Sequence, residues 1–524
     1  MINRLFLTLT TALLLSGCTL FAAPAMTPTQ TPLPTATLTP TMTASPTRTP
    51  SLTSTPTITL TPSQTLTPSI TPTSTNTLFP TIAPEPTIRP AGDNNTIVTL
   101  DKDVKNTIGK VALSFINTSD KSTQVTPGTP AAASELETVY LVDPITGMRL
   151  RVVDLPSTTG ARVYWSPDGA YLAYFVESGF AAGLYVLNLN TGVATRVLAL
   201  TSLNPRGIPS EPIWSPDSKR LAITLPTPYD LDIYTVAPDG TNLRDVTSSG
   251  SYDFFPVWSP DGQYLAFVSD RAMCPSWEPN APRSCYKPGA LPIDSGIFGG
   301  GLYVVDMGAQ DSSPRQLSDK WISVPPHWIS RDSLAFISSV SPTDSSVGSI
   351  LWYVDLRSDS VHRISDENPN GASIFGDNWS SDGNRVVYQE IQSTTHVVMR
   401  DASGNEVARS TEALNFPRYA FAAAWSPDNH RVVIGGAHNQ CPYGMFVIDE
   451  DFKTQVTSPP NPGVCNPLWS PDGKWIAFGG TTASGSGTDG RYDIYVAEAS
   501  GYGARAVSTR LGGQIALLGW VGGR

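Results

Sequence analysis

The 524-residue sequence has no apolar run long enough to span a bilayer; its longest candidate, Leu5–Leu15, is too short. It has no basic excess. Lys and Arg number 34 against 45 Asp and Glu, a net charge of −11. That excludes a nucleic-acid partner and direct binding to anionic headgroups, both of which need a basic face. Histidine is scarce and scattered, at His327, His362, His396, His430 and His438. Only His438, near Cys441 in a long loop, stands where a ligand could reach it. The five cysteines form no C-x-x-C pair, which argues against zinc. There is no G-x-S-x-G elbow, no H-E-x-x-H and no P-loop. No catalytic residue, cofactor or metal is therefore expected.

The N-terminus carries two segments outside any fold. Arg4 and Leu5–Leu15 read as the basic and apolar parts of a signal peptide, residues 1–17. The segment ends in Leu15-Ser16-Gly17-Cys18, which resembles the lipobox of bacterial lipoproteins; the resemblance implies lipidation of Cys18. Residues 18–94 follow, and from Thr27 to Pro90 they are almost all Thr, Pro and Ser, with only Arg48, Glu85 and Arg89 charged. Such a stretch cannot offset the entropy of folding and favours extended polyproline II. It reads as a disordered stalk, with or without sugar on its threonines, whose reach at ~3.1 Å per residue is at most roughly 200 Å.

The rest of the chain, residues 95–524, repeats itself. "WSPDG" stands at Trp165, Trp258 and Trp469, with near-copies at Trp214, Trp379 and Trp425. Counting Trp328 and Trp520, the tryptophans recur about every fifty residues, with one insertion. Each is followed by a tight turn, an apolar strand such as "YLAYFV", a variable loop, a strand with an aromatic near its start, and a weaker fourth strand. In Ser-Pro-Asp-Gly, proline presets φ and glycine takes the left-handed position of a hairpin turn. Ser218 and Asn429 replace that glycine in two units. Four short strands at fixed spacing, joined by turns, predict a β-propeller.

The stretch "PVWSPDGQYLAF" (Pro256–Phe267) resembles the PD40, or TolB-like, repeat almost letter for letter. The resemblance covers most of residues 110–524. It implies a TolB-like propeller and says little about activity, because the repeat also occurs in tricorn-type proteases and prolyl oligopeptidase relatives. "GQIALLGWVGGR" at the C-terminus looks like a first strand with no second. "GKVALSF", "TVYLVDPITG" and "RLRVVDL" near the N-terminus look like the other three strands. Splicing them closes the ring and removes two sheet edges. The expected fold is all-β, an eight-bladed propeller of four-stranded blades, with seven blades as the fallback.

The turns after the first and third strands share one face and are tight. The other face carries long loops, where binding usually resides. Cys274, Cys285, Cys441 and Cys465 all fall there. Of three possible connectivities, sequence proximity favours Cys274–Cys285 and Cys441–Cys465. Candidate contact residues on this face are Trp277, Tyr286, Trp321, Phe375, Tyr419 and Tyr443. The expected function is that of a non-catalytic, monomeric cell-envelope lipoprotein, anchored to a bacterial membrane through Cys18. Its propeller faces the cell exterior or the periplasm and binds a protein partner through the loop-rich face. Two rivals are an envelope glycan-binding protein and a hydrolase or lyase with an unrecognised site at the propeller channel.

Overall fold

The computed structural model describes residues 95–523 apart from 101, 120–135, 157–161, 178–181, 286–298, 310–311, 342–343, 366–371, 374–377, 392–394, 411–415, 417–419, 438–440, 453–454, 458–461, 482–491, 510 and 512. The signal-like segment, Cys18 and the Thr/Pro stretch lie outside the described residues. Among the described residues no helix is long and apolar enough to cross a membrane.

The strands form eight blades. Blade 1 joins the two ends of the chain: Gln514–Val521 pairs with Ala112–Ser119, followed by Leu136–Val142 and Arg149–Pro156. The spliced blade expected from the sequence is thus present, and the count is eight. Blade 2 runs from Val163–Trp165 through Tyr171–Val176 and Gly183–Asn188 to Val193–Leu198. Blade 3 spans Ile213–Trp214 to Arg244–Asp245, and blade 4 Asp253–Trp258 to Arg315–Ile322. Blade 5 spans His327–Ser330 to Ser360–Arg363, and blade 6 Ala372–Ser373 to Glu406–Arg409. Blade 7 spans Phe421–Trp425 to Gln455–Thr457, and blade 8 Gly463–Trp469 to Arg505–Ala506.

Apolar side chains fill the seams between blades. Leu172, Leu187, Ile116 and Val139 meet between blades 1 and 2, and Val433, Ile476 and Phe478 between blades 7 and 8. Fully burying one such side chain stabilises the ring by about 1.5–3 kcal/mol.

The recurring tryptophan has a second task beyond packing. Its indole N–H donates across the seam to the backbone carbonyl of the residue just before the preceding blade's tryptophan. Trp214 reaches the Tyr164 carbonyl (3.0 Å), Trp258 that of Ile213 (3.2 Å) and Trp328 that of Val257 (3.0 Å). Trp425 reaches Asn378 (2.9 Å), Trp469 reaches Ala424 (3.0 Å) and Trp520 reaches Leu468 (3.1 Å). At the closing blade Trp165 donates instead to the Ser114 hydroxyl, 2.8 Å away. Trp379 breaks the series: its Nε1 is buried with no hydrogen-bond partner. The matching carbonyl would be that of His327. Blade 5 closes its hairpin differently, pairing Trp328 with Leu334 through a bulge, one residue shorter than the Trp258–Leu265 pairing.

The turns also link blades. The fourth turn residue has positive φ in the six Trp-Ser-Pro-Asp-type turns, as at Gly262 (70°), Ser218 (59°) and Asn429 (61°). Where glycine is replaced, the new side chain bonds the preceding blade. The Ser218 hydroxyl accepts the Asp168 N–H (3.2 Å), and the Asn429 amide oxygen accepts the Ser381 N–H (2.8 Å). This gain offsets the cost of a non-glycine residue in the left-handed region.

Candidate functional site

A cavity opens at the tight-turn end of the ring. It has a volume of about 740 Å³ and is walled by the Trp-Ser-Pro turns and first-strand ends of blades 2, 3, 7, 8 and 1. Trp165, Trp214, Trp425, Trp469 and Trp520 stand around it, with Pro167, Pro427 and Pro471 at its rim and Gly522–Gly523 alongside. Among the described residues no Asp, Glu, Lys, Arg or His lines it, and Tyr164 is the one titratable wall residue; burial holds that phenol protonated well above its ordinary range. The bowl can receive an uncharged group, and the Ser166 and Ser470 hydroxyls in its wall are bonded to their own turn aspartates. The sequence placed interest on the opposite face. The signal for the bowl was present in the tryptophans that end each innermost strand.

The turn carboxylates beside this bowl are occupied within their own turns. The Ser hydroxyl donates to the Asp carboxylate in each: Ser166–Asp168 (2.6 Å), Ser259–Asp261 (2.7 Å), Ser426–Asp428 (2.5 Å) and Ser470–Asp472 (2.7 Å). Burial opposes ionisation of Asp217, Asp261, Asp382 and Asp472, but the Ser hydroxyl and a backbone N–H outweigh it. Their carboxyls lie below the usual range. So does that of Asp428, for which the Ser426 hydroxyl is the largest influence. These residues build turns, as the motif implied.

On the loop-rich face, the described contact candidates pack inward. Trp277 stacks on Tyr252 (ring centroids 5.0 Å apart) and donates its indole N–H to Asp270 at 2.8 Å. Tyr443 packs edge-on against Phe416 (5.0 Å) and Phe446 (6.0 Å). Trp321 covers Gly299 so closely that a Cβ there would lie 2.4 Å from its ring. Tyr286, Phe375, Tyr419 and His438 lie outside the described residues. Trp277, Tyr443 and Trp321 each pack on neighbours of their own.

Cys441 and Cys465 form a disulfide, with Cα atoms 5.3 Å apart. It ties the loop of blade 7 to the first strand of blade 8. Gly463 is required beside it, since a Cβ there would lie 2.1 Å from the Cys441 carbonyl. The expected Cys274–Cys285 bridge is absent, and this is a correction. The Cys285 thiol is turned toward the Met273 carbonyl, 3.7 Å away, and main-chain bonds already close this loop. The Cys285 N–H reaches the Ser276 carbonyl, and the Trp277 N–H reaches that of Gly250.

Sequence reasoning missed a group of buried carboxyls between blades 3 and 4, at their loop-face ends. The Asp270 carboxylate accepts the Tyr252 backbone N–H (2.8 Å) as well as the Trp277 indole. Asp253 is fully buried; one oxygen accepts Arg271 (2.7 Å) and Ser249 (2.9 Å). Asp232 accepts the Thr247 hydroxyl (2.9 Å) and the Ser249 N–H (3.0 Å). Burial pushes Asp232 and Asp270 up to about 7 and Asp230 to about 6, and it raises Asp253 as well. These four residues come from three separate segments, so no motif announces them. Their bonds clamp the Asp270–Trp277 segment onto the chain entering blade 4. Among the described residues, no group of His, Cys, Asp and Glu is arranged to hold a metal ion.

Residues 161–277 match the PD40 family, described as the TolB beta propeller domain. The Protein TolB homolog of Chlorobium luteolum is 40% identical over 106 residues, covering 20% of this chain and 23% of that protein. The Tol-Pal system protein TolB of Francisella tularensis subsp. mediasiatica is 36% identical over 100 residues, 19% of this chain and 21% of that one. The chain thus spans about a fifth of the length of these curated relatives. The crystal structure of TolB from Acinetobacter baumannii aligns with a TM-score of 0.33 at 18% identity, over 58% of this chain and 65% of that chain.

Proposed function

We propose that this chain, which carries a TolB-like PD40 β-propeller, is a non-catalytic protein-interaction module of the cell envelope. It presents its loop-rich face to a protein partner and is held at a membrane by a lipid on Cys18, with the Thr/Pro segment as spacer. One observation carries the choice of face. The loops there are braced from within, by the Cys441–Cys465 disulfide and by the Asp270 clamp on Tyr252 and Trp277. Braced loops on a rigid ring favour recognition, since little ordering entropy is then lost on binding. A glycan reading needs flat aromatic faces open to solvent. Trp277 and Tyr443 instead stack on their own neighbours.

The test places a photo-crosslinking amino acid at Met273, which is exposed on the loop face, or at Lys474, on the tight face. The full chain is expressed in its native envelope. A protein trapped from Met273 and not from Lys474 supports the reading. Trapping from Lys474 alone moves binding to the other face. Co-sedimentation with cell-wall glycan and no trapped protein replaces the reading with the glycan one.

A further inference from the structure

Blade 2 differs from the other blades in having a fifth strand. Asn95–Ile97 lies antiparallel along the outer edge of Val193–Leu198, with Asn95 opposite Thr195, Thr96 opposite Ala194 and Ile97 opposite Val193. This strand is weakly held. All three of its side chains are exposed, Ile97 to 83%. Its side-chain tie is the Thr195 hydroxyl bond to Asn95, at 3.0 Å. The next residue, Val98, is fixed by its N–H to the Gly192 carbonyl, 2.8 Å away. The strand buries almost no apolar surface to offset the entropy of ordering it. Its three residues face Val193–Thr195, the first half of that strand.

A cavity of about 370 Å³ lies beside this edge, between it and the turn Ala237–Asn242 of blade 3. Val193 and Thr195 both line it, with Tyr171, Asn188, Pro238 and Asp239. In an antiparallel pair, residues directly opposite share one face of the sheet. Ile97 and Asn95 therefore stand on the cavity side, yet Ile97 is left in solvent and neither residue lines the cavity. The edge thus has a strand in place and a side-chain cavity unfilled. Main-chain pairing with alternate side chains in pockets is how a sheet edge binds an extended peptide.

We propose that the outer edge of blade 2 is a strand-acceptor site for a partner protein, with Asn95–Ile97 as its built-in placeholder. The partner supplies an extended segment with Lys or Arg opposite Val193 or Thr195. The cavity selects that chemistry. Val193 and Pro238 suit an aliphatic stem, and among the described residues Asp239 is the one charged residue in its lining. The Thr241 hydroxyl, 2.7 Å from Asp239, keeps that carboxyl ionised. The site lies on the rim of the ring, so it stands or falls separately from the loop-face reading.

The test uses the full chain and a fluorescent eight-residue peptide alternating lysine with valine, read by anisotropy. Thr96→Pro with Ile97→Pro frees the edge, because alternate residues point their N–H groups at the neighbouring strand and one proline must remove such a donor. Ile97→Cys with Val193→Cys locks the placeholder under oxidation. Binding at least tenfold tighter to the proline variant, and at least tenfold weaker to the oxidised lock until reductant is added, is expected. Asp239→Asn weakens the lysine peptide about fivefold, and a glutamate-for-lysine peptide binds at least tenfold more weakly. Equal binding to wild type, lock and proline variant overturns the proposal. So does undiminished binding of a backbone N-methylated peptide. A dimer of the proline variant without peptide assigns the edge to a second copy and overturns the partner.

Discussion

Replacing Trp469 by Phe and, separately, Trp379 by Phe tests the indole ring directly. The two residues are matched in burial, at 8% and 5% exposure. Each substitution removes the same atoms, so the cavity term, about 1–2 kcal/mol, is common to both. They differ in the indole N–H. At Trp469 it donates to the carbonyl of Ala424, which also stands opposite Val433 in the ladder, and losing it costs about 0.5–1.5 kcal/mol. At Trp379 the N–H has no partner, and its removal relieves a penalty of about 1–3 kcal/mol. Trp469→Phe should therefore be less stable than Trp379→Phe by about 1.5–4.5 kcal/mol. With ~2.1 cal/mol/K per residue of unfolding entropy, and a ring that melts as one unit, this is roughly 2–5 °C in Tm. Calorimetry on both variants measures it. Equal losses would refute the claim that the tryptophan acts as a donor across the seam and would reduce it to packing.

Three further outcomes are expected. Ser218→Ala keeps the left-handed strain and loses the bond to Asp168, so it should cost about 1 kcal/mol, whereas Gly262→Ala meets only a 3.6 Å contact with Pro216 and pays the strain alone; urea melts compare them. The raised carboxyls of Asp232 and Asp270 bind protons more tightly folded than unfolded. Their contribution is complete below about pH 4 and is lost as pH rises through about 7, at up to ~1.4 kcal/mol per pH unit per group. Asp232→Asn should flatten that fall, and stability measured between pH 4 and 8 that rises steadily in both proteins would contradict it. The turn aspartates, with lowered carboxyls, act in the opposite sense and at lower pH. Cys18→Ser should move the protein from the membrane to the soluble fraction on cell fractionation, and continued membrane association would remove the lipid anchor from the proposal.

The blade count, the closing strand and the turn geometry were legible because each is local chemistry repeated. Pro167, Asp168 and Gly169 specify a turn whatever surrounds them, and five other units repeat the instruction in full or nearly so. The C-terminal strand could be matched to its partners because the same grammar, cut in two, stood at both ends. The direction of the indole bond was not legible, since its acceptor lies in the previous blade about fifty residues away. The carboxyls between blades 3 and 4 were hidden for the same reason. Asp230 and Asp232, Asp253, and Asp270 belong to three different segments, and only the fold places them together. Cys274 and Cys285 were paired on sequence distance, but Ser276 and Gly250 accept the main-chain bonds that hold their loop. Trp277 and Tyr443 looked like contact residues because aromatics in loops are ambiguous between a partner and a neighbour.

Departures from the repeat carry more information than the repeat. Ser218 and Asn429 break the glycine rule, and each returns a bond to the blade before it. Such departures are compensated within the ring. The short hairpin of blade 5 comes with no such gain, and at the next seam the Trp379 N–H has no partner. The strand Asn95–Ile97 is a departure of a third kind, since it adds pairing without adding burial. A seam that is missing one bond and an edge covered by three exposed residues are the places where this ring is least committed to its own structure. Local opening and exchange with a partner draw on low-stability elements of this sort. Motion and recognition should therefore concentrate at the seam between blades 5 and 6 and at the rim of blade 2, with the Trp-Ser-Pro turns elsewhere holding the ring fixed.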